Sequence, residues 1–262
     1  MEYQRGMKRY LAAALLLFLI GTALSSRAQD FLEEESDTLI PDNVLLEKQW
    51  SLGAMVHTNG WGVRLRIGKN VTALRQWMWE VEYSTYKSPK EVRVINPYFS
   101  DSKSYIYGKL NSVSFLRGGT GQQFILTRKP YWGGVQLSAV AYGGVSVGFG
   151  KPVYLYILYL DPTFNDYRII EEKYDPQRHF IDNIFGRASF LSGILELKFY
   201  PGIYTRAGLE FEFGNLNKRP KSLEAGALLE YSVIGIPILA YNPEQNFFLT
   251  LYVSFMFGKR HN

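Results

Sequence analysis

From Phe247 to Phe257 the chain alternates without a break. Phe247, Leu249, Leu251, Val253, Phe255 and Phe257 fall on one side, and Phe248, Thr250, Tyr252, Ser254 and Met256 on the other. Successive side chains of a strand point to opposite faces, so this period of two specifies a β-strand with one strongly apolar face. The segment has about the length a tilted strand needs to cross a bilayer. With an export signal at the other end of the chain, it points to an outer-membrane β-barrel.

That export signal is residues 1–28. Arg5, Lys8 and Arg9 form a basic start, Leu11–Leu24 is apolar, and Ser26-Arg27-Ala28 fits a cleavage site that leaves Gln29 first. The apolar stretch is short for a membrane-spanning helix, and no cysteine follows it to carry a lipid. Cleavage removes four of the 29 Lys and Arg and one of the 24 Asp and Glu, leaving 25 against 23, so the net charge falls from +5 to +2. A basic balance that weak is no pointer to a nucleic-acid partner. With no Cys, disulfide and thiolate chemistry are excluded. Nineteen Tyr, 17 Phe and five Trp match the aromatic girdles of a membrane barrel.

The expected organisation is an acidic periplasmic leader over 29–49, an all-β transmembrane antiparallel barrel over 50–258, and a tail at 259–262. About ten strands are expected, within a range of eight to twelve: 50–58, 62–68, 77–86, 105–117, 122–128, 132–149, 190–200, 203–213, 222–234 and 247–257. Asn59-Gly60 and Pro201-Gly202 read as turns. The glycines at 118, 119, 121, 143, 144, 148 and 150 read as turns, bulges and curvature, since no Lys-Ser/Thr ending makes them a phosphate loop. One long insertion, 150–189, separates strands six and seven, and counting from either terminus places it in the periplasm.

Several strands carry charges opposite their apolar side. Arg64, Arg66, Glu80, Glu82, Glu196, Lys198, Arg206, Glu210, Glu212, Glu224 and Glu230 are expected to form a charge network lining the lumen. A soluble sandwich with water outside shares this alternation, and the export signal and aromatic load favour the barrel. In a narrow bore unpaired charges are costly, so the first reading is a salt-bridged plug. The second is a small-solute channel lined by Arg64, Arg66, Glu80, Glu82, Arg206 and Glu210.

The insertion holds the other candidate sites. Tyr154, Tyr156, Tyr159 and Phe164 are aromatic anchors for a protein partner. Asp175-Pro176 opens a predicted short helix to about Phe185, on which Asp175, His179 and Asp182 share a face. Two carboxylates and an imidazole suit a divalent cation, although a helix cap and a packed histidine explain the same residues. No other cofactor is expected. His57 and His261 have no evident catalytic partners.

Arg128–Val135, Lys151–Ile157 and the ending Phe247–Arg260 together resemble a family of small outer-membrane β-barrels from Bacteroidota. The resemblance covers most of the exported chain. It implies an outer-membrane location, contact with lipid and lipopolysaccharide, and a single barrel domain without an assigned activity. Some similar barrels serve secretion or assembly machines. The expected function is therefore a non-enzymatic structural or accessory subunit with an outer-membrane or periplasmic partner. The alternatives are the channel and a metal or hydrolytic site around His179.

Overall fold

The computed structural model describes residues 48–261 apart from 73, 100, 129–133, 162–165 and 214–218. The export signal, the leader as far as residue 47 and the proposed anchor Phe164 lie outside the described residues.

Eight long strands close into one antiparallel barrel. They are β1 (Lys48–His57), β2 (Gly60–Asn70), β3 (Arg75–Tyr86), β6 (Asn111–Thr127), β7 (Gln136–Pro152), β11 (Lys198–Phe213), β12 (Lys221–Ile236) and β13 (Gln245–His261). Each pairs with its predecessor in this series, and β1 closes on β13 from Lys48↔His261 to His57↔Tyr252. The remaining strands lie beyond one end: β4 (Arg93–Val94), β5 (Tyr105–Ile106), β8 (Tyr154–Asp161), β9 (Asp166–Lys173) and β10 (Ile184–Arg187).

Eight strands replace the expected ten because two apparent breaks are strand interior. β6 runs through Gly118, Gly119 and Gly121, so the separate strands expected at 105–117 and 122–128 are one. β11 runs through Pro201-Gly202, with Pro201 paired to Val147 and Gly202 to Ser232. The first hairpin turn is Thr58-Asn59, with Gly60 paired to His57. Lys48 and Gln49, expected in the leader, belong to β1, and 259–261, expected in the tail, belong to β13.

The alternation sorts residues as a membrane requires. Trp61, Val63, Leu65 and Ile67 of β2 and Phe247, Leu249, Leu251 and Val253 of β13 are exposed on the outside, while Arg64, Arg66, Glu80, Glu82 and Glu224 are buried inside. Apolar outside and charged inside is the arrangement of a transmembrane β-barrel, in which all backbone pairing is internal. At roughly 3.4 Å per residue and a tilt near 45°, the outward face from Phe247 to Phe257 is about 25 Å tall, one hydrocarbon thickness.

Eight strands also move the insertion. It joins the fifth and sixth barrel strands, at the end opposite both described termini. The connections 87–110 and 237–244 share that end. With eight strands the insertion therefore lies at the end opposite the described termini, whereas the ten-strand count puts it at the same end as they are.

Candidate functional site: the ion-paired bore and the cap

Inward-facing positions on neighbouring strands determine which charges meet. Register sets Arg64 beside Glu82 and Arg66 beside Glu80 across β2 and β3, and Glu82 beside Arg117 across β3 and β6. Arg64 Nε donates to Glu82 at 2.9 Å, Arg66 Nε to Glu80 at 3.1 Å and Arg117 Nη1 to Glu82 at 2.6 Å. Further pairs cross the bore. Arg64 and Arg66 both reach Glu224 on β12, at 3.0 and 2.5 Å. Arg206 on β11 binds Glu80 at 2.8 Å and also Glu82, and Arg117 binds Glu230 at 2.5 Å.

Aromatic residues complete the network. Tyr204 donates to Glu80 at 3.0 Å and Tyr252 to Glu224 at 2.6 Å. The Arg66 guanidinium lies 4.4 Å from the centre of the Tyr142 ring. These large side chains fit because inward neighbours are glycine. A Cβ at Gly119 would stand 2.5 Å from the Tyr204 hydroxyl, and one at Gly226 would stand 2.8 Å from that of Tyr252. The close approach of inward tyrosines, rather than a turn, accounts for Gly119 and Gly226 within their strands.

Of the expected lumen residues, the structure brings together Arg64, Arg66, Glu80, Glu82, Arg206, Glu210, Glu224 and Glu230, and it adds Arg117. Glu210 lies 3.7 Å from Arg66. Glu212 is inside but nearer the end that carries the described termini, paired with Arg260 at 2.5 Å. Glu196 and Lys198 are not in the lumen. Glu196 sits in a short 3-10 turn, Ile194–Glu196, outside the barrel, and Lys198 is exposed at the start of β11. Arg117 shares its inward face with Val113 and Phe115, so apolar alternation by itself gives this strand the opposite phase.

Above the bore, β10, β8 and β9 form a three-stranded sheet in that order, and β4 pairs with β5. Leu155, Ile157, Tyr174 and Ile184 pack with Tyr105 into a core of their own. The Asn96 side chain donates to the carbonyls of Ile181 and Ile184, at 3.2 and 2.8 Å, and Ala240 N–H donates to Gly108 at 2.8 Å. Three connections are thus joined into one cap.

The predicted helix at 175–185 is absent. The Asp175 carboxylate accepts from Gln177 N–H at 2.9 Å, but only turns follow before Ile184 enters β10. Extended pairing of β10 with β8 buries Ile184, which a helix there would not do. His179 is buried and accepts at Nδ1 from Asp175 N–H at 3.0 Å, while its Nε2 lies 3.3 Å from Glu172. Among the described residues no three His, Asp or Glu side chains converge on a metal position, so Asp175, His179 and Asp182 are not brought together as ligands.

The aromatic anchors are half-buried. Tyr154 donates to Glu196 at 2.5 Å and Tyr159 to Glu172 at 3.0 Å, so both hydroxyls are used within the cap; Tyr156 is likewise only partly exposed. Hydrogen bonds from Lys173 and Tyr154 hold the Glu196 carboxyl below its usual range. His57 borders a cavity of about 10 Å³ with Ser84, whose hydroxyl is taken by Arg117 at 2.6 Å.

Burial, with Tyr107 nearby, pushes the Tyr105 hydroxyl up to about 12, and burial beside Tyr107 and Tyr241 does the same for Tyr174. A phenol that holds its proton more tightly when folded stabilises the fold fully below the ordinary tyrosine value near 10. That contribution is lost as pH rises from there through about 12. The cap should therefore loosen in this alkaline window, with proteolytic cleavage in 153–197 tracking ultraviolet phenolate absorbance. A cap that stays protease-resistant after both tyrosines ionise would refute this.

No family model matches the sequence, and no curated protein matches it. Among solved structures it is similar to Ail, the attachment invasion locus protein of Yersinia pestis, in complex with the heparin analogue sucrose octasulfate, at 11% identity and a TM-score of 0.36. It is similar to Neisserial surface protein A at 11% identity and a TM-score of 0.37. Each comparison covers 81% of this chain and 95% of the other.

Proposed function

We propose that the protein is a non-conducting, non-enzymatic outer-membrane barrel that presents a folded cap at the cell surface and acts by binding. The observation that carries this reading is the bore itself. Arg64, Arg66 and Arg206 are all but fully buried, and each is paired to carboxylates from strands on the far side of the barrel. An eight-stranded barrel has an interior that side chains just fill. Moving a hydrated solute through it requires breaking several buried ion pairs at once.

The cap supports the binding role. Its apolar core locks the connections in place, and binding residues are disproportionately carried on loops that a rigid scaffold positions. The accessory-subunit role belongs here too, with the partner meeting exposed cap residues such as Tyr98 and Tyr241 rather than the half-buried Tyr154, Tyr156 and Tyr159.

In planar bilayers the purified protein should show no steady openings at any applied potential. A steady, ohmic conductance from the wild type would overturn the closed-bore reading. The binding role is tested by mild-detergent pull-down from native membranes, followed by mass spectrometry. A stoichiometric partner that is lost on replacing Tyr98 and Tyr241 with Ser is expected. A barrel that always purifies alone would refute the accessory role.

A further inference from the structure

Four large apolar side chains on the connection from β10 to β11 face outward with no covering residue in the cap's core. Phe190 is 81% exposed, Leu191 66%, Ile194 45% and Leu195 98%. A contiguous patch of this kind is costly in water and marks contact with another apolar phase.

Lys151 fixes where the patch sits on the wall. In β7, Ser138, Val140, Tyr142, Ser146, Gly148 and Gly150 face inward, so Phe149 and Lys151 face outward. Lys151 Nζ lies 4.2 Å from the centre of the Phe190 ring and also donates to the Phe190 carbonyl. Phe190 is therefore on the outside of the barrel, not over its bore. Register then sets Phe149 beside Phe199, their rings edge-on at 5.6 Å, and Phe199 begins the lipid-facing side of β11. The patch is continuous with the lipid-facing band.

The turn is also held in place. Gly193 has a φ of 76°, and a Cβ there would stand 2.8 Å from the Tyr154 ring. Glu196 is tied to Lys173 at 2.8 Å and to Tyr154. Lys151 borders the patch, with its stem beside the Phe190 ring, as a cation at the level of lipid phosphates does.

The geometry points to a second membrane contact besides the strands. Residues 190–195 form a fixed loop that enters the outer leaflet beside β7 and β11, with Phe190, Leu191, Ile194 and Leu195 among acyl chains and Lys151 at the phosphates. The contact rests on the reading of the strands as membrane-spanning. It gives the cap a footing in the lipid as well as on the barrel.

The chain has no native cysteine, so one introduced at 195 takes a nitroxide label cleanly. L195C is reconstituted in vesicles of phosphatidylcholine and phosphatidylglycerol, and collision rates with oxygen and with a water-soluble nickel chelate are read. I169C on exposed β9 serves as the aqueous reference and L251C, midway along the outer face of β13, as the lipid reference. The label at 195 should collide with the nickel chelate several-fold less than the label at 169, and L191C should agree. Equal accessibility at 195 and 169, with 251 protected, would overturn the loop contact and make the patch a protein-docking surface. Loss of protection at 251 would instead overturn the membrane barrel itself.

Discussion

Replacing Glu82 with Ala should destabilise the barrel by about 3–5 kcal/mol, the cost typical of stripping one partner from a buried ion pair. Glu82 is the hub of the plug: it binds Arg64 at 2.9 Å, Arg117 at 2.6 Å and also Arg206. Alanine leaves three buried guanidiniums sharing what remains of Glu80, Glu224 and Glu230. The loss is read by denaturant titration of the refolded protein in micelles. Glu196→Ala is the control, because its pair with Lys173 is exposed and screened; its titration curve should overlay the wild type. A Glu82→Ala curve that also overlays the wild type would mean that water, not carboxylate, satisfies these arginines.

Ile157→Asp should melt the cap and leave the barrel standing. Ile157 is completely buried between Leu155, Tyr174 and Ile184. Truncating such a residue costs roughly 2–5 kcal/mol, and a charge in its place adds desolvation. The barrel does not depend on that core, since β7 and β11 pair without interruption from Gly150↔Lys198 to Gln136↔Glu212. Limited proteolysis should cut within 153–197 in the variant alone, while heat-modifiable migration persists in both. Loss of heat-modifiable migration would show that the cap is a structural part of the barrel.

Most of the barrel was legible in the sequence. The period of two in β2, β3, β12 and β13 depends only on pleat geometry, so it places Arg64, Arg66, Glu80, Glu82 and Glu224 on one face whatever the neighbours are. The pairing of these charges was legible for a similar reason: a narrow bore does not tolerate them apart. The breaks were misread because Gly and Pro mark turns in isolation. Within a closed sheet, glycine instead makes room for Tyr204 and Tyr252. Pro201 is likewise accommodated within β11, opposite Val147.

What the sequence determined by itself is the set of local alternations: strand type, inward and outward faces, and a charged interior. Tertiary structure alone decided the strand count, the side on which the insertion emerges, the entry of Arg117 into the network and the extended fate of Ile184. The physical reason is range. A side chain's face is set by its own backbone, whereas closure and cross-bore pairing are set by residues more than a hundred positions apart, as Lys48 and His261, or Arg64 and Glu224, are.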